Sequence, residues 1–135
     1  MKAEKKVIAG QESWVVDNGT VELSVTVLGG HMAPVTFYAD TKKPVQPYHI
    51  APWAEKSDKI DDPVLVPLRG DFFCMPFGGG STYRKDEYPT HGEPASGKWK
   101  NADVREDGGE TTFFAQMDTK IKEGTVTKEI TLKEG

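Results

Sequence analysis

The side chains able to do chemistry crowd into one stretch, Leu68 to Trp99, which reads LRGDFFCMPFGGGSTYRKDEYPTHGEPASGKW. It holds Arg69, the only cysteine (Cys74), three consecutive glycines (Gly78, Gly79, Gly80), one of the three histidines (His91) and a tryptophan (Trp99). His91 is the residue best suited to a reaction. It lies in Tyr88-Pro89-Thr90-His91-Gly92-Glu93-Pro94, where two prolines fix the chain and Gly92 lets a ligand come close to the backbone. An imidazole both donates a hydrogen bond and exchanges a proton near neutral pH, the two tasks that a ligand hydroxyl sets. On loop composition alone, a plain surface histidine is the competing reading. Arg69 offers five N–H donors in a planar fork, suited to a cleft that takes an oxygen-rich ligand; against this stands a surface pair with Asp71, of little energetic weight.

The remaining features of the stretch point away from other chemistries. His31, His49 and His91 lie far apart, and there is no His-x-His or Cys-x-x-Cys pair, so no metal site and no cofactor is expected. Cys74 sits in the apolar run Asp71-Phe72-Phe73-Cys74-Met75-Pro76-Phe77, which reads as a strand with the thiol as a small buried hydrophobe. The glycine run lacks the Lys-Ser/Thr and the helix that a phosphate loop needs, which leaves a turn or loop.

The elements that must position this stretch are strands. Val21, Leu23, Val25 and Val27 alternate with Glu22, Ser24, Thr26 and Leu28, the pattern of a strand buried on one face. A short strand precedes it from Ser13, with Asn18-Gly19 as the turn, and after Gly29-Gly30 an extended pattern resumes over His31 to Tyr38. Prolines 44, 47, 52, 63 and 67 make the segment to residue 67 a long connection, with Tyr48 and Trp53 as packing anchors. Lys98 to Asp107, Glu110 to Thr119 and Gly124 to Leu132 read as a three-stranded meander joined at Asp107-Gly108-Gly109-Glu110 and Lys122-Glu123-Gly124-Thr125. No helix pattern of useful length occurs. The expectation is an all-β, antiparallel β-sandwich forming a single domain over residues 1–135. Its last strand has no following partner, which predicts a homo-oligomer or pairing with another polypeptide through an exposed sheet edge.

Composition narrows the partners. The net charge is −4, with 17 basic residues interspersed among 21 acidic ones, so a nucleic acid is not expected. No segment approaches the length of a membrane span. The start, MKAEKKVIAGQESW, has no apolar run like that of a secretory signal. With one cysteine and no possible intrachain disulfide, the chain reads as cytoplasmic.

Read together, Arg69-Gly70-Asp71-Phe72-Phe73-Cys74-Met75-Pro76-Phe77-Gly78, then His91-Gly92, then Trp99, resemble the N-terminal half of the aldose 1-epimerase (galactose mutarotase-like) superfamily, in its hexose-6-phosphate 1-epimerase-like variant. The resemblance implies part of a supersandwich fold, a small-molecule sugar as ligand and mutarotation by acid–base chemistry. It implies His91 as the catalytic residue, and Arg69, Asp71, His91, Glu93 and Trp99 as the substrate-binding set. Two departures shape the expectation. The family's Phe-Ala-Arg after His-Gly is here Glu93-Pro94-Ala95, which removes a phosphate-binding arginine and favours a neutral sugar. The family's second histidine and its glutamate base belong to a C-terminal half, so the chain reads as a truncated portion that binds a sugar without the full acid–base pair. Two alternatives stand beside this reading: an active epimerase with Glu93 or Asp71 as substitute base, or with a site completed by another chain, and a β-sandwich interaction module unrelated to sugars.

Overall fold

The computed structural model describes residues 3–133; Met1, Lys2, Glu134 and Gly135, read above as part of the chain's start and end, lie outside the described residues. The fold is all-β with antiparallel sheets, strand making up 50% of the chain and helix 7%, so the helical part amounts to short turns. Four strands form the first sheet in sequence order: β1 (Glu4–Ile8), β2 (Gln11–Asp17), β3 (Val21–Thr26) and β4 (Met32–Phe37). β5 (Ser81–Tyr83) and β6 (Asp86–Tyr88) make a small hairpin, and β7 (Lys100–Asp107), β8 (Glu110–Thr119) and β9 (Gly124–Lys133) form a second meander. The turns follow from local chemistry. Asn18 Oδ1 accepts from the backbone N–H groups of Thr20 and Val21, closing β2 onto β3. At Gly30 an added Cβ would meet the Trp99 indole at 2.7 Å, so only glycine lets the chain pass under that ring.

The core lies between the two meanders. Trp14, Val16, Leu23, Val25, Val27 and Val35 from one side meet Trp99, Phe113, Ala115, Met117 and Leu132 from the other. The Trp14 and Phe113 rings sit 5.8 Å apart at a tilt. Each large apolar side chain withdrawn from water in this way contributes about 1.5–3 kcal/mol before entropy is counted.

Four sequence expectations need correction. β3 is covered on both faces rather than one, since Ser24 and Thr26 are as buried as Leu23 and Val25. The long connection packs at the β1–β2 turn, where Gly10 abuts Ala54 and Gln11 Nε2 reaches Ser57, and it is tied to itself by Trp53 Nε1 donating to the Leu65 carbonyl. The hydroxyls survive burial because Ser24 donates to Ala33 and Thr26 to Leu28. Second, residues 71–77 are not a strand. They form single bridges at Asp71 and Met75, and they turn Phe73, Met75 and Phe77 outward. The last two corrections are strands the pattern did not reveal. β1 is largely charged and exposed, so its pairing with β2 rests on backbone bonds, and β5 and β6 are only three residues each.

Candidate functional site

Arg69 is 2% exposed, and its guanidinium is spent on backbone carbonyls. Nε donates to the Pro67 carbonyl at 3.0 Å, Nη1 to Ile8 at 2.8 Å and Nη2 to Ala9 at 2.8 Å. It therefore ties the end of the long connection to the β1–β2 turn, and burial pulls its pKa down. The neighbouring corner is held by His31, which sequence reasoning passed over. Its Nδ1 accepts from the Arg69 backbone N–H at 3.3 Å, so Nε2 carries the proton and donates to the Ala95 carbonyl at 2.8 Å. Burial, with the charges of Lys128 and Arg69 nearby, lowers the His31 pKa to about 4 against the one favourable bond to Ala95. The Gly29-Gly30 pair just before it was the signal available in the sequence, because glycines there let the chain fold tightly against its neighbours.

His91 is placed by different means. Its backbone N–H donates to the Gly78 carbonyl at 2.7 Å, and its carbonyl accepts from Met75 N–H at 3.2 Å, so residues 75–78 grip it from both sides. It adopts φ +61°, a left-handed conformation uncommon for a residue with a side chain. Gly92 follows at φ +81°, and a Cβ there would stand 2.0 Å from the Met75 carbonyl oxygen. The imidazole is flanked by Phe72 at 5.7 Å and Phe77 at 5.9 Å, and Phe72 in turn stacks on His31 at 4.3 Å. Phe77 is 85% exposed. The Nδ1 atom of His91 is buried and has no hydrogen-bond partner among the described residues.

The other expected site residues are spread. Trp99 is in the core, donating its indole N–H to the Pro94 carbonyl at 3.0 Å, so it does not present a face to a ligand. Both carboxylate oxygens of Glu93 accept from Lys120 N–H, at 2.9 and 3.1 Å, and one also from Ile121 N–H at 3.1 Å, fastening the His91 loop to the β8–β9 turn. Arg69 contributes to a cavity of about 310 Å³ with His49, Ala51 and Trp53, and Glu93 to a separate one of about 410 Å³ with Met75, Pro76, Tyr83 and Tyr88. The five expected residues thus do not converge on one pocket. Asp71 is exposed, with its backbone bridged to Met32, and its charge acts on Lys128. Lys128 is a second residue that reasoning from sequence missed. Its ammonium lies over the Trp99 ring at 5.4 Å and donates to the Gly30 carbonyl, and burial lowers its pKa. Its signal was its place in the inward row of β9, between Val126 and Ile130.

Cys74 is half-buried, and burial raises its thiol pKa. Among the described residues, no group of three or more His, Cys, Asp or Glu is arranged to hold a metal ion. None of the helical turns among them is long and apolar enough to cross a membrane. Comparison of the chain with protein-family models, curated proteins and solved structures gives no match.

Proposed function

We propose that this chain is a carbohydrate-binding protein of the aldose 1-epimerase type, which takes a neutral aldose at the His91 corner and by itself accelerates mutarotation little. The observation that carries the proposal is the buried, unpartnered Nδ1 of His91 between two phenylalanine rings. A buried polar atom without a partner costs about 1–3 kcal/mol, which a ligand hydroxyl would relieve once the ring turns to bring that atom to the surface. The C–H face of a sugar ring suits an exposed aromatic such as Phe77, while its hydroxyls need the kind of partner Nδ1 provides. Binding is favoured over catalysis because Glu93, the nearest carboxylate in sequence, already accepts three N–H bonds in fastening a loop. A cytoplasmic location is part of the same proposal and rests on the single, half-buried thiol.

Calorimetric titration with glucose, galactose and glucose 6-phosphate tests the reading, together with polarimetry on freshly dissolved α-glucose. Weak binding of the free sugars, no preference for the phosphate and near-uncatalysed mutarotation are expected. Vigorous mutarotation abolished by His91→Ala would instead favour an active epimerase, with Asp71 as the first base to replace. Absence of any sugar binding would favour an interaction module, the reading to which the outward Phe73, Met75 and Phe77 lend support.

A further inference from the structure

Among the described residues the β5–β6 hairpin pairs with neither meander, yet its register gives it two distinct faces. Tyr83 stands opposite Asp86, and Tyr88 follows two positions later, so these three share one face, while Thr82 and Glu87 share the other. The first face looks onto the cavity of about 410 Å³. Tyr83 and Tyr88 line it, and Asp86 holds Lys122 of the β8–β9 turn at 2.6 Å. Met75 and Pro76 complete its apolar lining, and Glu93 and Thr119 supply its other polar groups. The charges around it are already engaged. Glu93 accepts three backbone N–H bonds, Asp86 and Lys122 neutralise each other, and the Arg84 guanidinium rests 5.3 Å from the Tyr83 ring. Thr119 donates its hydroxyl proton to the Lys122 carbonyl at 2.6 Å. A charged ligand would give up hydration without meeting an unpaired counter-charge in the lining. The two phenols are different: among the described residues neither the Tyr83 nor the Tyr88 hydroxyl makes a hydrogen bond. Ring faces, a thioether and a pyrrolidine beside two unpaired hydroxyls suit a neutral molecule with apolar faces and hydroxyls at its rim.

We propose that the cavity under the β5–β6 hairpin is a second sugar subsite, so that the ligand is a neutral oligosaccharide with one unit at the His91 corner and the next against Tyr83 and Tyr88. This rests on the reading of the His91 corner as a sugar site. Aromatic-lined grooves also take proline-rich peptides, and position decides between the two. Pro76, in the cavity lining, runs straight into Phe77, whose ring flanks His91. Met75, in the same lining, donates its backbone N–H to the His91 carbonyl. Met75 and Phe77 are two residues apart, hence at most ~7 Å along the backbone, a span that a disaccharide covers. The cavity is thus continuous in the chain with the corner that takes the first sugar unit. A molecule seated at His91 that goes on by one more unit of the same chemistry meets the tyrosines next.

Calorimetric titration of the full chain with glucose, maltose, cellobiose and lactose tests this, alongside NMR of the tyrosine ring protons. At least one disaccharide is expected to bind about tenfold more tightly than glucose, the worth of one added ring contact, and to shift the Tyr83 and Tyr88 signals. In Tyr88→Ala the ratio of disaccharide to glucose affinity is expected to fall to within about threefold of unity. The ratio and the ring shifts in the parent chain need no variant to fold. Glucose binding with no disaccharide tighter, tyrosine signals that ignore every disaccharide, or a disaccharide advantage that survives Tyr88→Ala overturns the subsite and leaves the His91 reading standing. Absence of binding by all four sugars overturns both. A proline-rich peptide that moves the Tyr88 signals where no disaccharide does gives the cavity to a peptide, and likewise overturns the subsite.

Discussion

The corner built on Arg69 and His31 and the corner built on His91 use the same residue types to opposite ends. In the first, every polar nitrogen of both side chains has a protein partner: three carbonyls for the guanidinium, and a backbone N–H and a carbonyl for the imidazole. In the second, the backbone is gripped on both sides while the buried ring nitrogen is left over. A side chain whose donors and acceptors are all spent within the fold is scaffold, however catalytic its type. One held by its backbone while a buried nitrogen goes unsatisfied stores a cost that a ligand relieves once the ring turns to expose that atom.

The contrast breaks most visibly at Arg69. Arg69→Met keeps much of the stem volume but deprives the buried Pro67 carbonyl and the part-buried Ile8 and Ala9 carbonyls of their charged donor, so urea denaturation is expected to show a loss of about 3–5 kcal/mol. Arg69→Lys recovers little, since one ammonium cannot span carbonyls on both sides of the β1–β2 turn. An unchanged midpoint for either variant would return Arg69 to the list of ligand-binding residues.

His31 sharpens the contrast through pH. Its folded pKa of about 4 lies below the ordinary value of 6.5, so the unfolded chain binds the proton more tightly than the folded one. The stability it confers is complete above about pH 6.5 and is lost as pH falls through that value toward 4, on the order of 3 kcal/mol in all. Denaturation curves between about pH 7.5 and 4.5 should show this slope, and His31→Gln should flatten it.

The sequence made the second meander readable because its alternation is regular and its turns carry glycine; the observed β8 has the expected bounds, and β7 starts at Lys100 instead of Lys98. It could not reveal β1, whose Glu4-Lys5-Lys6-Val7 has no apolar face. It also misread residues 71–77, where apolar composition suggests burial but Phe77 and Phe73 face out. The candidate site was legible only at His91, from the prolines and glycine around it. Arg69, Glu93 and Trp99 were named for what their side chains can do, and a sequence does not show that nearby carbonyls and amides have already claimed them. His31 and Lys128 went unnoticed for the converse reason, since their burial depends on segments 60 or more residues away.

Glu93 lies between the two corners in character, and its effect is smaller. Glu93→Gln retains one oxygen acceptor for the β8–β9 turn but gives up the charge, so a loss of about 1–2 kcal/mol is expected. Hydrogen exchange at Lys120 and Ile121 should quicken in the same variant. If those amides keep their protection, the carboxylate is not what holds the turn, and its claim to a role in proton transfer is restored.

The smallest stability effect is expected at His91, and it is the most informative. His91→Ala removes an imidazole that forms no side-chain hydrogen bond among the described residues, while its backbone bonds to Gly78 and Met75 remain. The lost ring contacts with Phe72 and Phe77 are offset by removal of a buried, unpaired nitrogen, so the change in unfolding free energy should stay below about 1 kcal/mol. Affinity for a free aldose should fall by about 1–3 kcal/mol in the same variant, the usual cost of deleting one partner of a buried hydrogen bond. Stability and binding would then separate at His91 and move together at Arg69. If His91→Ala instead unfolds the chain as Arg69→Met does, the imidazole is holding the aromatic row together and the two corners are alike.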